Sequence, residues 1–583
     1  MGNSQSQPTP TAALPQPFLR DPKRMSRMSQ ATQVVAKRQS MAFSGLTLGC
    51  TSAAPHFDDD ASQDGSETSS HTLEPPPPLY AATSELQEDD EKAALAFKEF
   101  LKTYPEYKLT WTLDALRRSD FSRLDRSGET YVDYMGASLY PESLIRVHTD
   151  FLRRSVLGNT HSVNNSSQLS SRYTEEARQA VLSFFRAPPG YTVVFTANAT
   201  AALKLVGEAF PFQEGSTYVL SADSHNSVHG IRVYAANKKS EVVYIPCLDQ
   251  GGVDTKTAMD ILATHRAPGD TAPALLALTA QSNVTNSKNN LGLVKHAKQL
   301  GYSVLLDAAA LAATSVINLA DYPVDAMALS FYKLFGFPTG VGALVVKESF
   351  LAELSRPWFA GGTVDLVQAP GMVHRLSDDM HSRFEDGTIN FVSLPAITDG
   401  LRFLSAYLPF LPIRLAALTH FLATSLSEIT HENTDKPVVR VLSRLPTRRP
   451  KAVGEQAETG SVISLIFLDP SGEMLPLSFV EYAATTQNIS LRTGCMCNPG
   501  GAAALLGLRA EMDQLTCAHT LADFEVHVGR ELGVVRMSLG LASNFHDVYR
   551  VLAFARAVGT AETRAAMWDA WSAARAAGHG GKH

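Results

Sequence analysis

Short apolar runs alternate with stretches of helical length through the middle of the chain. Five runs rich in β-branched and aliphatic residues are predicted to be strands: 191–196, 217–221, 241–245, 274–278 and 302–306. Strand-like runs at 325–330 and 342–346 continue the series. The segments between them have the length and spacing of helices. This alternation predicts an α/β fold in which a mostly parallel sheet is covered by helices.

The same pattern divides the chain into four parts. Residues 1–91 lack apolar periodicity and are rich in Ser, Gln, Pro and Thr, so we expect a disordered tail. Residues 92–395 carry the strand and helix alternation of a large domain, preceded by a helical segment that belongs with the smaller domain. Residues 396–560 hold a long helical segment and separate strands at 462–468 and 534–539, which predicts a smaller α+β domain. Residues 561–583 are expected to form a helical or flexible tail.

Composition limits the expected partners and compartment. A net charge of -7 gives no basic field for nucleic acid, so small molecules and proteins are the expected partners. Five cysteines are too few and too unevenly spaced for a disulfide framework in 583 residues. The chain has no apolar stretch of the roughly 20 residues that a membrane span requires, and no secretory signal. We therefore expect a cytoplasmic protein.

The N-terminus matches one short modification motif. Gly2 and Ser6 fit the pattern for N-myristoylation. A single acyl chain gives only marginal membrane binding, although basic residues between Arg20 and Arg38 could add a second signal. A chance match is the alternative, so membrane contact is expected only if Gly2 is acylated.

Three separated features have the chemistry of a cofactor site. Lys333 follows an apolar strand and precedes a Gly/Pro-rich turn, where a lysine with a depressed pKa can form a Schiff base with an aldehyde. Asp307 ends another strand, where its carboxylate can pair with a pyridinium nitrogen. The segment 196–203 passes from strand to helix and offers amides and a hydroxyl to a phosphate. Each feature has an ordinary alternative: a solvated lysine, a helix-capping aspartate and a plain turn.

A segment with the sequence LRTGCMCNPG supplies a candidate nucleophile. Cys495 and Cys497 lie beside Arg492 on a stretch bounded by glycine and proline, which favours an exposed, readily deprotonated thiol. Zinc binding would need further ligands, for which Cys517 and His519 are the nearest candidates. We expect no metal and interpret the segment as a reactive loop.

Together these motifs resemble the desulfurase domain of the eukaryotic molybdenum cofactor sulfurases, within the class V aminotransferase-like cysteine desulfurases. The similarity runs from about Tyr131 to Arg556. It rests on segments 132–137, 164–167, 196–203, 305–310, 330–340, 383–388 and 492–500. The resemblance implies fold type I of the pyridoxal 5'-phosphate (PLP) dependent transferases, with a mostly parallel seven-stranded sheet in the large domain, and PLP as the cofactor.

The resemblance also implies roles for individual residues. Lys333 becomes the Schiff-base lysine and Asp307 the partner of the pyridine nitrogen. The remaining implied cofactor contacts are His225 on the ring, Asn283 near the phenolic oxygen, Ala199, Thr200 and Ser330 at the phosphate, and Gly387 and Thr388 at the phosphate of a neighbouring subunit. This last contact implies a homodimer. Arg536, together with Arg492, is expected to bind the substrate carboxylate.

The implied activity removes sulfur from L-cysteine. Lys333 and His225 would act at the cofactor, and Cys497 would take the sulfur as a persulfide while L-alanine leaves. Cys495 stands where related enzymes carry histidine, so Cys497 is the expected nucleophile. The expected sulfur acceptor is a protein or the molybdenum cofactor.

Two features depart from the family pattern. Family members place another cysteine shortly after the Cys-Asn-Pro-Gly run, where this chain has Gly501 and Ala502. They also continue into a C-terminal domain that holds the molybdenum cofactor, whereas this chain ends soon after the helix around Val551, so transfer to a separate acceptor is expected. Two alternatives stay open: another class V PLP enzyme, such as a lyase or epimerase, and a non-catalytic scaffold of the same fold.

Overall fold

The computed structural model describes residues 83–266 and 269–577, with side chains from residue 91 onward. Gly2, Cys50, most of the expected N-terminal tail and the last residues of the expected C-terminal tail lie outside this range. The first helix of the described residues begins at Thr83, so the expected boundary at residue 91 falls inside a helix.

Helices and strands are numbered here in chain order over the described residues. The helices are α1 (Thr83–Thr103), α2 (Trp111–Asp120), α3 (Ser122–Ser127), α4 (Glu142–Arg154), α5 (Asn165–Phe184), α6 (Ala199–Ala209), α7 (Asn226–His229), α8 (Ile231–Asn237), α9 (Thr255–Thr264), α10 (Gly292–Gln299), α11 (Phe331–Phe335), α12 (Glu348–Glu353), α13 (Pro395–Tyr407), α14 (Leu411–Glu428), α15 (Leu477–Thr486), α16 (Pro499–Leu506), α17 (Arg509–Met512), α18 (Leu521–Val528), α19 (Phe545–Gly559) and α20 (Ala561–Ala576). The strands are β1 (Thr130–Tyr131), β2 (Tyr191–Thr196), β3 (Thr217–Ser221), β4 (Glu241–Ile245), β5 (Ala274–Thr279), β6 (Ser303–Asp307), β7 (Ala326–Ser330), β8 (Gly342–Lys347), β9 (Val364–Val367), β10 (His374–Leu376), β11 (Val439–Val441), β12 (Val462–Phe467), β13 (Ile489–Ser490), β14 (Arg492–Gly494) and β15 (Val534–Ser538). Short 3-10 helices occupy Pro105–Thr110 and Ser382–Phe384.

A seven-stranded sheet forms the centre of the large domain, in the order β2-β8-β7-β6-β5-β3-β4. Within it β8 runs antiparallel to β2 and β7, and the other pairs are parallel. The mostly parallel α/β fold is therefore confirmed. Each predicted strand boundary lies within one residue of the observed one.

Helices cover both faces of this sheet because its strands are apolar on both sides. Alternate residues of one strand enter different core clusters, as Val193 and Val194 of β2 show. Helix α6 packs against β7 and β8 on one face, while α5 contacts β2 and α10 contacts β6 on the other. The helices cover the faces of the sheet and leave the ends of its strands uncovered.

A smaller antiparallel sheet has the order β11-β12-β15-β14. Residues 100–131 pack on this part of the chain: β1 pairs with β13 in parallel, and the Phe100 ring lies 5.1 Å from the rings of both Phe421 and Phe545. An antiparallel hairpin of β9 and β10 lies between the two sheets in the sequence.

Helices α13 and α14 are apolar and follow each other closely in the chain. In the described part of the chain no single helix is long and apolar enough to cross a membrane, whereas this pair, bent by 67°, meets that criterion jointly. Both helices place many of their side chains in the core, including Leu404 and Leu418.

The carboxyl ends of six strands lie at one edge of the large sheet. Strands β3, β4, β5, β6 and β7 are parallel to one another, and β2 points the same way because the antiparallel β8 separates it from β7. Side chains that follow these strands therefore converge on one crevice, the usual ligand position of an open α/β sheet.

Candidate active site

A pocket of about 170 Å³ opens at this carboxyl edge. It is lined by Asn198, Ala199, Thr200, Leu203, His225, Ser227, Thr279, Gln281, Asn283, Asp307, Ala309, Ala310, Ser330, Tyr332 and Lys333. The structure thus brings together all of the predicted cofactor-binding residues except Gly387 and Thr388. Ser227 and Gln281 are lining residues that the sequence analysis missed.

Lys333 reaches the pocket from the short helix α11, which starts directly after β7. Burial lowers the pKa of its amine, Arg536 and Arg492 lower it further, and Asp307 acts in the opposite direction. The backbone around it is fixed, since Ser138 Oγ donates to the Lys333 carbonyl at 2.6 Å. Gly336 ends α11 at a φ of 80°, and a Cβ there would lie 2.3 Å from the Tyr140 nitrogen, so this turn requires glycine. The result is a buried amine with an increased neutral fraction.

Asp307 is the last residue of β6 and is 8% exposed. Its Oδ1 accepts a hydrogen bond from the Ala309 N–H at 3.1 Å. This local bond orients the carboxylate at the pocket wall, and the alanines that follow keep the wall open. Asp307 therefore makes a local hydrogen bond of the capping kind and also lines the pocket, as the sequence predicted.

His225 caps helix α7 from the opposite wall. Its Nδ1 accepts from the Ser227 N–H at 3.1 Å, so the neutral ring carries its proton on Nε2. Burial lowers the pKa of His225, with Asp307 acting in the opposite direction. The ring is accordingly neutral near pH 7.

Hydroxyl groups gather at the N-terminus of α6. The Ala199 N–H donates to Ser330 Oγ at 2.8 Å, and Thr200 Oγ1 lies 2.7 Å from Ser227 Oγ. Asn198 caps the helix through a 3.0 Å bond from the Ala201 N–H to its Oδ1. Because the Ala199 amide is bonded to Ser330, a phosphate here would meet three hydroxyls and the positive end of a helix.

Two amide side chains that are two positions apart in the sequence line the pocket. Asn283 donates from Nδ2 to the Met496 carbonyl at 2.8 Å and accepts from Asn498 Nδ2 at 3.1 Å, so both ends of its amide contact the cysteine loop. Gln281 is 2% exposed, and neither its Nε2 nor its Oε1 has a partner among the described residues. A buried amide without a partner leaves the pocket with unused polar groups for a ligand.

The cysteine loop runs between β14 and α16 and carries an exposed Cys497. The Cys497 carbonyl accepts from the Asn226 N–H at 2.7 Å, which ties the loop to the residue directly after His225. Met496 and Cys497 both have left-handed backbone angles, with φ of 55° and 56°. Burial raises the pKa of the Cys495 thiol, and Glu525 adds to the effect. Of the two thiols, Cys497 is therefore the accessible one.

Arg536 lies on β15 beside the pocket rather than in its lining. It is 2% exposed, and its Nη2 lies 2.5 Å from Oδ1 of Asp133 while its Nη1 donates to the Asn283 carbonyl at 3.2 Å. Arg492 is exposed on β14 and pairs with Arg536 in the sheet register. Asp133 belongs to a motif used in the sequence analysis but was not singled out there.

Gly387 and Thr388 do not join this pocket. The Gly387 carbonyl lies 3.2 Å from His161 Nε2, and Thr388 Oγ1 accepts from Asn159 Nδ2 at 3.3 Å. Their predicted role at the phosphate of a neighbouring subunit stays a prediction.

The metal alternative concerned Cys517 and His519. His519 Nδ1 accepts from the Thr516 N–H at 3.0 Å, a local turn bond. Over the residues that the structure describes, we find no group of three or more His, Cys, Asp or Glu side chains arranged to hold a metal ion.

Comparison with known protein families identifies the family of this chain. The family model for aminotransferase class-V matches residues 130–551. The chain belongs to the class-V aminotransferase family. This class-V chain is 35% identical over 465 residues to the molybdenum cofactor sulfurase of Bos taurus and 33% identical over 491 residues to that of Solanum lycopersicum. The resemblance inferred from the motifs is thereby confirmed.

The matches cover a larger share of this chain than of the two sulfurases. The matches cover 76% and 78% of this chain but 51% and 58% of those sulfurases, so the class-V chain spans little more than half of their length. Among solved structures, a cysteine desulfurase from Thermococcus onnurineus NA1 superposes with a TM-score of 0.60 at 22% identity, covering 76% of this chain and 97% of that one. The cysteine desulfurase CsdA from Escherichia coli gives 0.56 at 21% identity, with the same coverage. These superpositions confirm fold type I.

Proposed function

We propose that this class-V chain is a PLP-dependent cysteine desulfurase of the molybdenum cofactor sulfurase type. It converts L-cysteine to L-alanine and receives the sulfur on Cys497 as a persulfide. The observation that carries the proposal is the 2.7 Å hydrogen bond from the Asn226 N–H to the Cys497 carbonyl. This bond attaches an exposed thiol to the wall of the Lys333 pocket, an arrangement that a lyase, an epimerase or a scaffold does not need.

The pocket fits PLP, the cofactor on which this family depends. Lys333 offers a buried amine of lowered pKa to the aldehyde, and Asp307 offers a carboxylate to the pyridine nitrogen. The hydroxyls at the start of α6 suit the phosphate, and the unpaired amide of Gln281 offers further polar contacts. When bound, PLP supplies an electron sink for the substrate α-carbon.

Each residue then has a defined task. The Lys333 amine would hold the cofactor and, when free, would move the substrate α-proton. The neutral His225 ring would pack on the cofactor, and Arg536 with Arg492 would bind the substrate carboxylate. Cys497 attacks the substrate sulfur: an S–S bond forms, the substrate C–S bond breaks, and the substrate carbon takes a proton and leaves as alanine.

The proposal extends to the assembly and to the fate of the sulfur. A homodimer would bring Gly387 and Thr388 to the phosphate of the neighbouring subunit. The exposed position of Cys497 suits transfer to an acceptor, either a separate protein or the molybdenum cofactor, in the cytoplasm.

One incubation tests the proposal. The purified chain loaded with PLP is mixed with L-cysteine, and alanine and protein-bound persulfide are measured together. We expect one alanine and one persulfide per site in the first turnover, continuing turnover with added dithiothreitol, and no persulfide in Cys497→Ala. Pyruvate with free sulfide would indicate a lyase, D-cysteine an epimerase, and an unreactive PLP-loaded protein a scaffold; each of these overturns the proposal.

A further inference from the structure

Asp223 carries a fully buried carboxylate that is saturated with hydrogen bonds. Its Oδ1 accepts from Ser282 Oγ at 2.6 Å and from Asn498 Nδ2 at 2.7 Å. Its Oδ2 accepts from Thr285 Oγ1 at 2.7 Å and from the Gly252 N–H at 2.8 Å. Each of these four groups can donate, so carboxylate oxygens suit this place, whereas an asparagine would turn two donor hydrogens toward other donors. Among the described residues, the contacts of this carboxylate, which lies just after β3, come from two hydroxyls, one amide side chain and one backbone N–H.

One of these donors belongs to the cysteine loop. Asn498 directly follows Cys497 and is fully buried. Its Nδ2 also lies 3.1 Å from Asn283 Oδ1, while its Oδ1 accepts from the Gly501 N–H at 3.0 Å and so caps α16. Asn498 thus joins the Asp223 carboxylate to Asn283 and to the start of α16.

Further bonds hold the thiol-bearing residues themselves. The Asn283 amide binds the Met496 carbonyl, and the Asn226 N–H binds the Cys497 carbonyl. Met496 and Cys497 occupy the left-handed region, which side-chain-bearing residues adopt at a cost. Such a conformation persists only where surrounding contacts determine it, and these contacts all lead back to the segments around Asp223 and Asn283.

Two glycines make the close approach feasible. A Cβ on Gly501 would lie 2.5 Å from Asp223 Oδ1, and a Cβ on Gly500 would lie 2.1 Å from the Ala222 carbonyl oxygen. Gly501 is one of the positions where the sequence departs from its family pattern. A larger residue there would push the loop away from the carboxylate.

We propose that Asp223 is a positioning residue for sulfur transfer: through Asn498 it holds the Cys497 loop docked on the cofactor pocket. Asp223 itself does not line the pocket of Lys333. It acts by fixing where the thiol stands relative to the substrate sulfur. The inference rests on the proposed function and names the device that aligns its nucleophile.

The test uses single and swapped variants in the full chain loaded with PLP. Asp223→Asn and Asn498→Asp are each expected to slow persulfide formation about 10- to 100-fold, the effect of misplacing a reacting group by about 1 Å. The cofactor absorbance, and its change on adding cysteine, stay as in the wild type. The double variant Asp223→Asn with Asn498→Asp again pairs a donor with an acceptor and is expected to recover part of the rate.

A second readout does not depend on activity. Amide hydrogen exchange without cysteine reports the docked loop directly, because Asn226 and Gly501 donate the bonds described above. Both amides are expected to exchange faster in Asp223→Asn. The matched control is Asp325→Asn, which removes another buried carboxylate, bound by Lys298 and Lys347 at the opposite end of β7. It is expected to lower stability and leave loop exchange unchanged.

The outcomes distinguish a failure of the role proposed for Asp223 from a failure of the proposed function. Wild-type rates of persulfide formation and loop exchange in Asp223→Asn would overturn the inference while the proposed function stands. A wild-type chain that forms no persulfide removes the proposed function, and loop exchange still decides whether Asp223 holds the loop. If Asp223→Asn does not fold, Gly501→Ala disrupts the same contact from the loop side and is expected to give the same faster exchange; unchanged exchange in that variant contradicts the inference.

Discussion

Arg536 and Asp133 form an ion pair in which the arginine is buried, the aspartate is partly exposed, and Nη2 of the arginine lies 2.5 Å from Oδ1 of the aspartate. Gly136 permits this approach, since a Cβ there would lie 2.3 Å from Asp133 Oδ2. One donor of the guanidinium is unpaired: its Nε is buried and has no partner within the part of the chain that the structure describes. A buried arginine with an unused donor suits a second carboxylate, and the proposed substrate brings one.

Replacing Arg536 with lysine is expected to impair substrate binding. An ammonium group cannot make the planar two-point contact, and losing a hydrogen bond to a charged group costs about 2–3 kcal/mol. We expect kcat/KM for L-cysteine to fall about 30- to 160-fold, mainly through KM, with unchanged cofactor absorbance. Steady-state alanine production measures this, and Arg440→Lys, at an exposed site on β11 of the same sheet, is the control. An unchanged KM in Arg536→Lys would place the carboxylate elsewhere.

The lowered pKa of Lys333 predicts how the apoprotein captures PLP. Only a neutral amine attacks an aldehyde, so a lowered pKa moves the onset of capture to lower pH than for an ordinary lysine. Borohydride trapping of PLP on Lys333, followed by peptide mapping across a pH series, is expected to give a midpoint below the ordinary lysine value. Arg492→Gln removes a positive neighbour and is expected to raise that midpoint, whereas Arg440→Gln leaves it unchanged. Trapping on another lysine contradicts the assignment.

The central sheet could be predicted because each of its strands is recognisable from its own stretch of sequence. Strands β3, β5 and β7 are buried along their whole length, so each is a compact apolar run bounded by polar residues. Six short strands were missed, since each is two to four residues long and partly exposed: β1, β9, β10, β11, β13 and β14. Their existence depends on pairing with distant segments, as β13 pairs with β1.

The same distinction applies at the site. Lys333 and Asp307 follow strands, so local pattern and family motif together indicated them. Asp223 and Asp133 matter because of contacts with distant segments, such as the bond that Asp223 accepts from Asn498. Burial without a partner, as at Gln281, is visible only in three dimensions.

The ion pair of Arg117 with Asp547 predicts a pH-dependent loss of stability. Both side chains are buried, with contacts of 2.7 and 3.0 Å, and burial raises the pKa of Asp547 while Arg117 lowers it. Arg117→Met leaves an unpaired buried carboxylate, which costs about 3–5 kcal/mol near neutral pH. The pKa of Asp547 then rises further, so the folded variant binds a proton more readily than the unfolded chain, and the deficit shrinks as pH falls.

Denaturant unfolding at pH 7.5 and pH 5.5 measures this loss of stability. Arg126→Met, at an exposed arginine on the neighbouring helix α3, is the control and is expected to change stability by less than about 0.5 kcal/mol. A deficit in Arg117→Met that is equal at both pH values, or larger at pH 5.5, would contradict the role given to Asp547.

Replacing Cys497 with alanine and replacing Cys495 with alanine are expected to have very different effects on activity. Cys497→Ala should bind PLP and change its absorbance on adding cysteine, yet form no persulfide, because the thiol acts only after the substrate is bound and activated. Cys495→Ala should keep most of the activity: burial raises the pKa of Cys495 and holds it as the unreactive thiol near pH 7.5. Mass spectrometry of the cysteine-treated wild type should locate the added sulfur on Cys497, and limited iodoacetamide should label Cys497 before Cys495. Sulfur on Cys495, or an equal loss of activity in both variants, would show that the loop presents the other thiol to the substrate.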